Sequence, residues 1–448
     1  MQDDETTRRP LHSSLFTLHS SLIPNPSGRE AATDPSMKLL LPLLALCALA
    51  LPASATWTVE TGGSTPVITD GNWHLYLYSN QSRVAYKERT GSSTVLDLRT
   101  VKADTGYTIT WVDNTGFKGK TDVTKVILPE TCTTIWTAAF QGCTGLEEIK
   151  VPAGLVSLGQ NNTFDGCTNL KYFYADESDR EAGRVAVPAG VTTMPPLAFA
   201  SCTAIVRVDA PAVTKIGNRA FQNCTGLVSA AFSENLSEIL SNGTDHSDHA
   251  AFYNCTALVD FFPSTWGPMT IEPGTFRNCN VLTNHFDLSA SGITEIPSMW
   301  AAFTSIAGVT FPTNFAALTG DQNFRELKKG ATFRFLGDRP AVTATADKSP
   351  FYTTDKNNTS QRHVFVVDAA AYPAWTNGTD FVAMADIDGN NDTKNAFSTS
   401  SADFPTPAHP ERTLGATIWG SGNGRYNWVV QAGDETPPED LGFSILIY

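Results

Sequence analysis

The sequence predicts an α/β repeat solenoid that is rich in strands and contains short helical turns. A phrase made of a small residue, Phe, two residues, Cys and usually Thr occurs six times between about residues 123 and 311. Its members are Phe140 and Cys143, Phe164 and Cys167, Phe199 and Cys202, Phe221 and Cys224, Phe252 and Cys255, and Phe276 and Cys279. Successive cysteines lie 24, 35, 22, 31 and 24 residues apart, and a period in the low twenties with insertions is typical of a solenoid.

Each repeat reads L-x-x-I-x-V-P, a loop, L-x-x-I-G, and then the Phe–Cys phrase. The I-x-V piece predicts a short strand with alternate side chains inward, and the proline ends it. Phe and Cys, three residues apart, are expected on one face of a helical turn and therefore in the core. Gly142, Gly166, Asn223, Asn254 and Asn278, each directly before Cys, favour a left-handed or turn conformation.

Composition limits the classes of partner. The chain has 448 residues, 17% of them charged, and a formal net charge of −14. This acidic balance argues against nucleic acid or an anionic membrane as a partner.

Residues 37–55 predict a signal peptide. Lys38 precedes an apolar core too short to span a bilayer, and Ala53-Ser54-Ala55 is an A-x-A cleavage site that would leave Thr56 as the mature N-terminus. Residues 1–36 are interpreted as a mis-assigned upstream extension, with translation starting at Met37; the alternative is a long, genuine n-region. The mature chain is expected to be exported and to lack a transmembrane segment.

Seven cysteines remain after the signal: the six of the phrase and Cys132. Export favours disulfides. Equivalent positions of a solenoid, however, stack above one another from rung to rung. The Cβ vectors of stacked cysteines point the same way, which suits packing contact better than an S–S bond. Cysteine at such positions serves as a small buried hydrophobe. We therefore predict a ladder of free thiols.

The segments on either side of the repeats are predicted to be rich in β-structure. In residues 56–120, apolar and polar residues alternate in short runs that turn clusters separate. This pattern predicts short antiparallel strands that cap the solenoid, and an independent β-domain is the alternative. Residues 121–377 are assigned to the solenoid. Residues 378–448 are assigned to a linker and a small β-unit with strands near 414–419, 426–430 and 443–448.

The repeats resemble the BspA-like leucine-rich repeat family of bacterial surface proteins, over roughly residues 121–375. The segments 175–184 and 240–250 depart from the pattern as insertions, and in 303–306 Ile306 is aligned where Cys is expected. The resemblance implies a leucine-rich repeat fold, export, and a role in adhesion or in binding host or neighbouring-cell molecules.

Few residues suggest chemistry. Asp245, His246, Asp248 and His249 form a weak candidate metal site, and a solvated loop is the alternative. Residues 386–392 lack EF-hand spacing and are interpreted as linker, while 420–424 are interpreted as a hairpin turn. Trp266, Trp300, Trp375, Trp419 and Trp428 fall outside the phrase and are assigned to packing, with a contact surface as the alternative. No catalytic residues and no cofactor are predicted.

The sequence thus predicts a monomeric, non-enzymatic protein of the cell surface or medium. It is expected to bind an extracellular protein or glycan through the strand-lined face, the two insertions or the ends of the array. A passive envelope or matrix protein is one alternative, and a polysaccharide-active solenoid enzyme is another.

Overall fold

The fold is that of a computed structural model. It describes residues 56–60, 62–78, 82–241, 249–318, 322–328, 331–337, 340–342, 363–367, 428–431 and 446–447. The predicted signal peptide, the upstream extension and most of the C-terminal segment lie outside the described residues.

The described residues form many short strands and two five-residue helices. In chain order the strands are β1 (Thr58–Glu60), β2 (Val67–Thr69), β3 (Trp73–Tyr78), β4 (Arg83–Arg89), β5 (Val95–Asp97), β6 (Trp111–Val112), β7 (Lys125–Ile127), β8 (Thr134–Ile135), β9 (Glu148–Lys150), β10 (Tyr172–Tyr174), β11 (Val185–Ala186), β12 (Thr193–Met194), β13 (Arg207–Ala210), β14 (Lys215–Ile216), β15 (Ser229–Phe232), β16 (Glu238–Ile239), β17 (Asp260–Phe262), β18 (Thr270–Ile271), β19 (His285–Asp287), β20 (Glu295–Ile296), β21 (Gly308–Phe311), β22 (Ala317–Leu318), β23 (Thr332–Phe335), β24 (Ala341–Val342), β25 (His363–Val367), β26 (Trp428–Gln431) and β27 (Leu446–Ile447). The helices are α1 (Val101–Thr105) and α2 (Glu177–Glu181). No helix among the described residues is both long and apolar enough to cross a membrane.

Parallel pairing between successive repeats builds two columns of strands. The first column contains an eight-stranded sheet, in the order β5-β7-β9-β10-β11-β13-β15-β17, and a second sheet of β19, β21, β23 and the C-terminal strands β25 to β27. The other column contains β6-β8, β12-β14-β16-β18 and β20-β22-β24. Each repeat therefore contributes one rung, and the predicted strand-rich solenoid is confirmed.

The N-terminal strands β1 to β4 form an antiparallel meander. Strand β4 then pairs in parallel with β6, so the meander occupies the edge of the second column. Parallel pairing in the first column already begins with β5, which lies within the segment assigned to the cap and pairs with β7 of the solenoid.

The Phe–Cys phrase forms a third column, built from hydrogen-bonded turns. In the rung of Phe140, the N–H of Cys143 donates to the Phe140 carbonyl at 3.1 Å, while the N–H of Phe140 donates to the carbonyl of Thr163 in the next rung at 3.0 Å. N–H groups thus alternate between bonds inside the turn and bonds to the next rung. The predicted helical turn keeps its three-residue spacing but does not continue as a helix.

Each of the six turns contains a left-handed residue, and five of them contain a second. The residue before Cys is left-handed in all six phrases, as predicted for the Gly and Asn positions. A second left-handed position, four residues earlier, contains Ala138, Asn162, Leu197, Arg219 and Gly274. These two reversals point successive N–H groups in opposite directions.

The rung after Cys279 follows a different register from the sequence alignment. Met299 and Phe303 take the two left-handed positions, and the Phe303 N–H donates to the next rung. Thr304 therefore stands where the other rungs have Cys, and its hydroxyl donates to the Ala301 carbonyl at 2.8 Å. The assignment of Ile306 to that position was wrong, because the aromatic residue used for the alignment lies at the turn reversal.

The phenylalanines stack along the interior. Rings from Phe117 to Phe276 lie 5.2 to 5.7 Å apart between neighbouring rungs, with interplanar angles of 4° to 22°. All of these rings are fully buried. The array thus has one continuous aromatic stack, which packs against inward residues of the first column such as Phe173, Phe232 and Phe261.

The stack yields a stability prediction. Phe221→Ala is expected to lower the free energy of unfolding by about 3–5 kcal/mol, because it opens a cavity against Phe199, Phe232 and Phe252. Urea unfolding followed by circular dichroism measures the loss. Val228→Ala, at a residue 40% exposed, is the control and should change stability by no more than about 0.5 kcal/mol. Equal effects of the two substitutions would contradict the core role of the stack.

Candidate binding surfaces

The repeat cysteines are structural hydrogen-bond donors. Each Sγ lies 2.9 to 3.2 Å from the carbonyl oxygen of the Phe one rung earlier, as in Cys224 to Phe199 and Cys255 to Phe221. That carbonyl also accepts a backbone N–H of its own rung, from Lys120 in the case of Phe117 and from the cysteine in the other five. The thiol therefore occupies the second lone pair of a buried carbonyl, where an aliphatic side chain would leave it unused.

None of the seven thiols provides a nucleophile or a disulfide partner. Cys132 and the six repeat cysteines are free and fully buried. Burial raises the pKa of the Cys132 thiol to about 12, and raises the pKa of Cys202, Cys224 and Cys255 well above the ordinary thiol range. The pKa of Cys143 is instead lowered, chiefly by its hydrogen bond with Cys167, but its burial keeps this thiol away from solvent as well.

The thiol ladder predicts a protected set of cysteines. Native protein is expected to react slowly with a thiol reagent, because all seven thiols are buried. Unfolding in denaturant without reductant should release all seven thiols of the residue 56–448 region. The same titration after reduction is the control, and fewer than about five free thiols before reduction would contradict the ladder.

Three of the four candidate metal residues fall outside the described part of the chain. Asp245, His246 and Asp248 lie outside the described residues, and His249 is partly buried. In the described ranges, no group of three or more His, Cys, Asp or Glu side chains has the arrangement of a metal site.

Two of the tryptophans outside the phrase are interior residues. Trp266 and Trp300 are at most 1% exposed and pack edge-to-face against each other at 5.9 Å. They contact Phe276 and Phe286, which places them in the core rather than on a contact surface. Trp375 and Trp419 lie outside the described residues.

The first insertion folds back over the eight-stranded sheet. Its helix α2 is capped by Asp176, whose carboxylate accepts the Ser178 N–H at 2.8 Å. Arg180 of α2 lies over the Tyr172 ring at 5.4 Å and reaches Glu148 on β9 at 3.0 Å. The insertion therefore covers the outward side of β9 and β10.

Glu148 is the centre of this contact. Its carboxylate lies 2.6 Å from Lys125 Nζ on β7 and also accepts the Tyr174 hydroxyl, while its side chain is 9% exposed. Desolvation favours the neutral acid, but the bonds from Lys125, Tyr174 and Arg180 together outweigh it and lower the Glu148 pKa.

Glu148 gives a pH-dependent stability prediction. A carboxyl whose pKa is lowered by folding stabilises the folded state above its unfolded pKa, near 4.5, and that stabilisation is lost as pH falls further. Glu148→Gln is expected to cost about 2 kcal/mol at neutral pH and to flatten the dependence of unfolding free energy on pH below that range.

The neighbouring Glu147 provides a matched control. It pairs with Lys171 at 3.1 Å, and both side chains are about half exposed. Glu147→Gln should therefore change stability by less than about 0.5 kcal/mol, measured by denaturant unfolding across the same pH series. A Glu148→Gln protein as stable as the Glu147→Gln protein would contradict the buried network.

The C-terminal half of the same sheet is open and apolar. Val206, Val228 and Val259 lie one residue before β13, β15 and β17 and are 52%, 40% and 41% exposed. Their backbones are joined by hydrogen bonds of 2.8 and 2.9 Å, so the three side chains occupy equivalent positions of adjacent rungs. Together with Ala231 and Phe262, which is 44% exposed, they define the open sheet surface.

A groove on the N-terminal meander is a second surface. It has a volume of about 550 Å³ and is lined by Tyr76, Tyr78, Glu60, Lys87 and the loop of residues 62–65. The sequence analysis assigned these residues only to strands of a cap. The alternation of Tyr76 and Tyr78 with leucine is the signal that places both rings on the outward face.

Comparison with known proteins agrees with the repeat architecture. The BspA type leucine rich repeat region matches residues 110–242 and 192–329, in six copies. No curated protein sequence matches the chain.

Several solved structures are similar to the chain. A leucine-rich repeat protein from Bacteroides ovatus is 18% identical, with a TM-score of 0.47 and 70% of each chain covered. The leucine rich repeat protein of T. pallidum is 21% identical, with a TM-score of 0.36 over 47% of this chain and 87% of its own. A leucine rich cell surface protein from Faecalibacterium prausnitzii is 15% identical, with a TM-score of 0.26 over 60% of this chain and 88% of its own.

Stacked rungs with parallel strands, buried aliphatic positions and a shared turn column define a leucine-rich repeat protein. Its repeats are of the BspA type, and the chain belongs to that bacterial leucine-rich repeat family.

Proposed function

We propose that this is an exported or cell-surface protein that binds an extracellular protein partner through the open sheet surface. Export is supported by the leader pattern of residues 37–55 and by the BspA type of the repeats. Binding is supported by the contrast between the two halves of one sheet.

That contrast is the observation that carries the proposal. On β7 to β11, outward residues are used by the α2 insertion and its ion pairs, such as Lys150 with Glu177 at 2.6 Å. On β15 and β17 the outward residues are Ser229, Ala231 and Phe262, together with one charged residue, Asp260. Adjacent exposed valines leave apolar area in water without benefit to the fold, and such patches are typical of interaction sites.

The stacked arrangement suits a protein partner. Equivalent positions of parallel strands repeat about every 4.8 Å, so the valines form a short, straight apolar row. Arg207 and Asp260 flank the row as exposed charged residues. An apolar centre with a polar rim is the usual composition of a protein interface.

A pull-down from extracellular matrix and mucin fractions tests this function. Protein recovered from the surface or medium fraction of the producing cells would be used, and its presence there tests export. Val228→Lys is expected to weaken binding at least about tenfold, because it puts a charge in the apolar centre of the contact.

Val156→Lys is the matched control, since Val156 is 54% exposed but lies away from the valine row. It should bind like the unsubstituted protein. Two results would contradict the proposal: no saturable binding of any extracellular protein, which favours a passive structural role, or equal effects of the two lysine substitutions.

A further inference from the structure

We propose that the groove on the N-terminal meander is a binding site for a neutral oligosaccharide. The groove lies on the sheet formed by β1-β2-β3-β4-β6-β8, whereas the open sheet surface lies on the eight-stranded sheet. The two sites are therefore independent, and a single chain can use both.

The floor of the groove is aromatic. Tyr76 and Tyr78 alternate along β3 with the buried Leu75 and Leu77, so both phenol rings lie on the outward face. Their ring centroids are 5.7 Å apart with an interplanar angle of 37°. Tyrosine offers an apolar ring face together with a polar hydroxyl, and a sugar ring likewise has an apolar C–H face and a polar edge.

The walls of the groove provide hydrogen-bonding groups of both kinds. The Glu60 carboxylate lies 2.6 Å from His74 Nδ1 and 3.7 Å from Lys87 Nζ. His74 is held on its other side by the Thr90 hydroxyl at 3.1 Å. Glu60 can accept bonds from ligand hydroxyls, and Lys87 can donate to ligand oxygens.

The charges of the groove indicate that its ligand is neutral. Lys87 Nζ lies 2.8 Å from Glu88 and 3.7 Å from Glu60, so its positive charge is opposed by two carboxylates and is not left open for an acidic ligand. Polar walls around an aromatic floor also disfavour a purely apolar ligand, which would leave the wall groups without partners. A neutral sugar ring suits both features, because its C–H face can pack on the aromatic floor and its hydroxyls can bond to the polar walls.

A second aromatic platform on the same face extends the site. Tyr78 is in register with Arg83, and Arg83 is in register with Trp111 and then Thr134. Trp111 is 38% exposed and stacks on Trp136, with ring centroids 5.8 Å apart and an interplanar angle of 9°.

The two platforms are separated along the hydrogen-bonding direction. From β3, which contains both tyrosines, to β6, which contains Trp111, there are two strand spacings, or about 9.5 Å. Arg83, held by Asp113 at 3.2 Å, lies between them. One sugar ring can cover only one platform, so the arrangement indicates an oligosaccharide rather than a monosaccharide.

Isothermal titration calorimetry of the full-length purified protein tests the site. The probes are neutral gluco-, xylo- and manno-oligosaccharides, each as a disaccharide and a hexasaccharide. At least one hexasaccharide is expected to bind. Tyr76→Ala and Tyr78→Ala should each weaken that binding at least about tenfold, while Tyr76→Phe keeps the ring and should retain most of it.

Two further variants make the test specific. Trp111→Ala should weaken binding of the hexasaccharide but leave the disaccharide unchanged, because only the longer chain reaches the second platform. Tyr172→Ala, at a partly exposed tyrosine on the eight-stranded sheet, should not change either. Melting curves of all variants, compared with that of the unsubstituted protein, show whether a variant that fails to bind is still folded.

The proposal would be overturned by any of three results. The first is that none of the neutral oligosaccharides binds at millimolar concentration. The second is that only acidic oligosaccharides or peptides bind. The third is that folded Tyr76→Ala and Tyr78→Ala proteins bind as well as the unsubstituted protein. Because Val228→Lys does not touch the groove, failure of either the saccharide site or the protein-binding surface is recognised separately.

Discussion

Backbone hydrogen bonding between rungs fixes their separation, and every side chain of the interior has to suit that separation. Neighbouring parallel strands lie about 4.8 Å apart. Flat aromatic rings stack at 5.2 to 5.7 Å, which a tilted stack of Phe accommodates. The turn column meets the same spacing through alternating N–H groups and one or two left-handed residues per rung. Cysteine adds a further hydrogen bond between rungs, because its small thiol reaches the carbonyl of the rung before it.

The period explains why the fold could be predicted from the sequence. Positions that repeat in the interior repeat in the chain, so the Phe and Cys positions and the left-handed residue before Cys were visible there. The second left-handed position was missed because Ala138, Leu197 and Arg219 share no residue type. The Ala301 rung was misaligned because its aromatic residues flank the usual Phe position. The valine row does repeat in the chain, since Val206, Val228 and Val259 each lie four residues after a Cys, but the sequence does not show that this position is exposed. The Tyr76 groove lies outside the repeats and has no repeating signature.

The two insertions were expected to be free for recognition, and the first is instead part of the scaffold. Its helix α2 places Arg180 and Glu177 against charged residues of β9, so the segment covers part of the strand-lined face. Covering one half of a sheet concentrates the remaining apolar outward residues in the other half. A local departure from the repeat thereby sets where on the array the open sheet surface lies.

The turn column also has a consequence for the length of the array. Because each turn bonds only to the turns before and after it, a rung can be added or removed without changing the bonding pattern of the others. The number of rungs then sets the distance between the N-terminal groove and the valine row in steps of one strand spacing, while the residues of both surfaces stay the same.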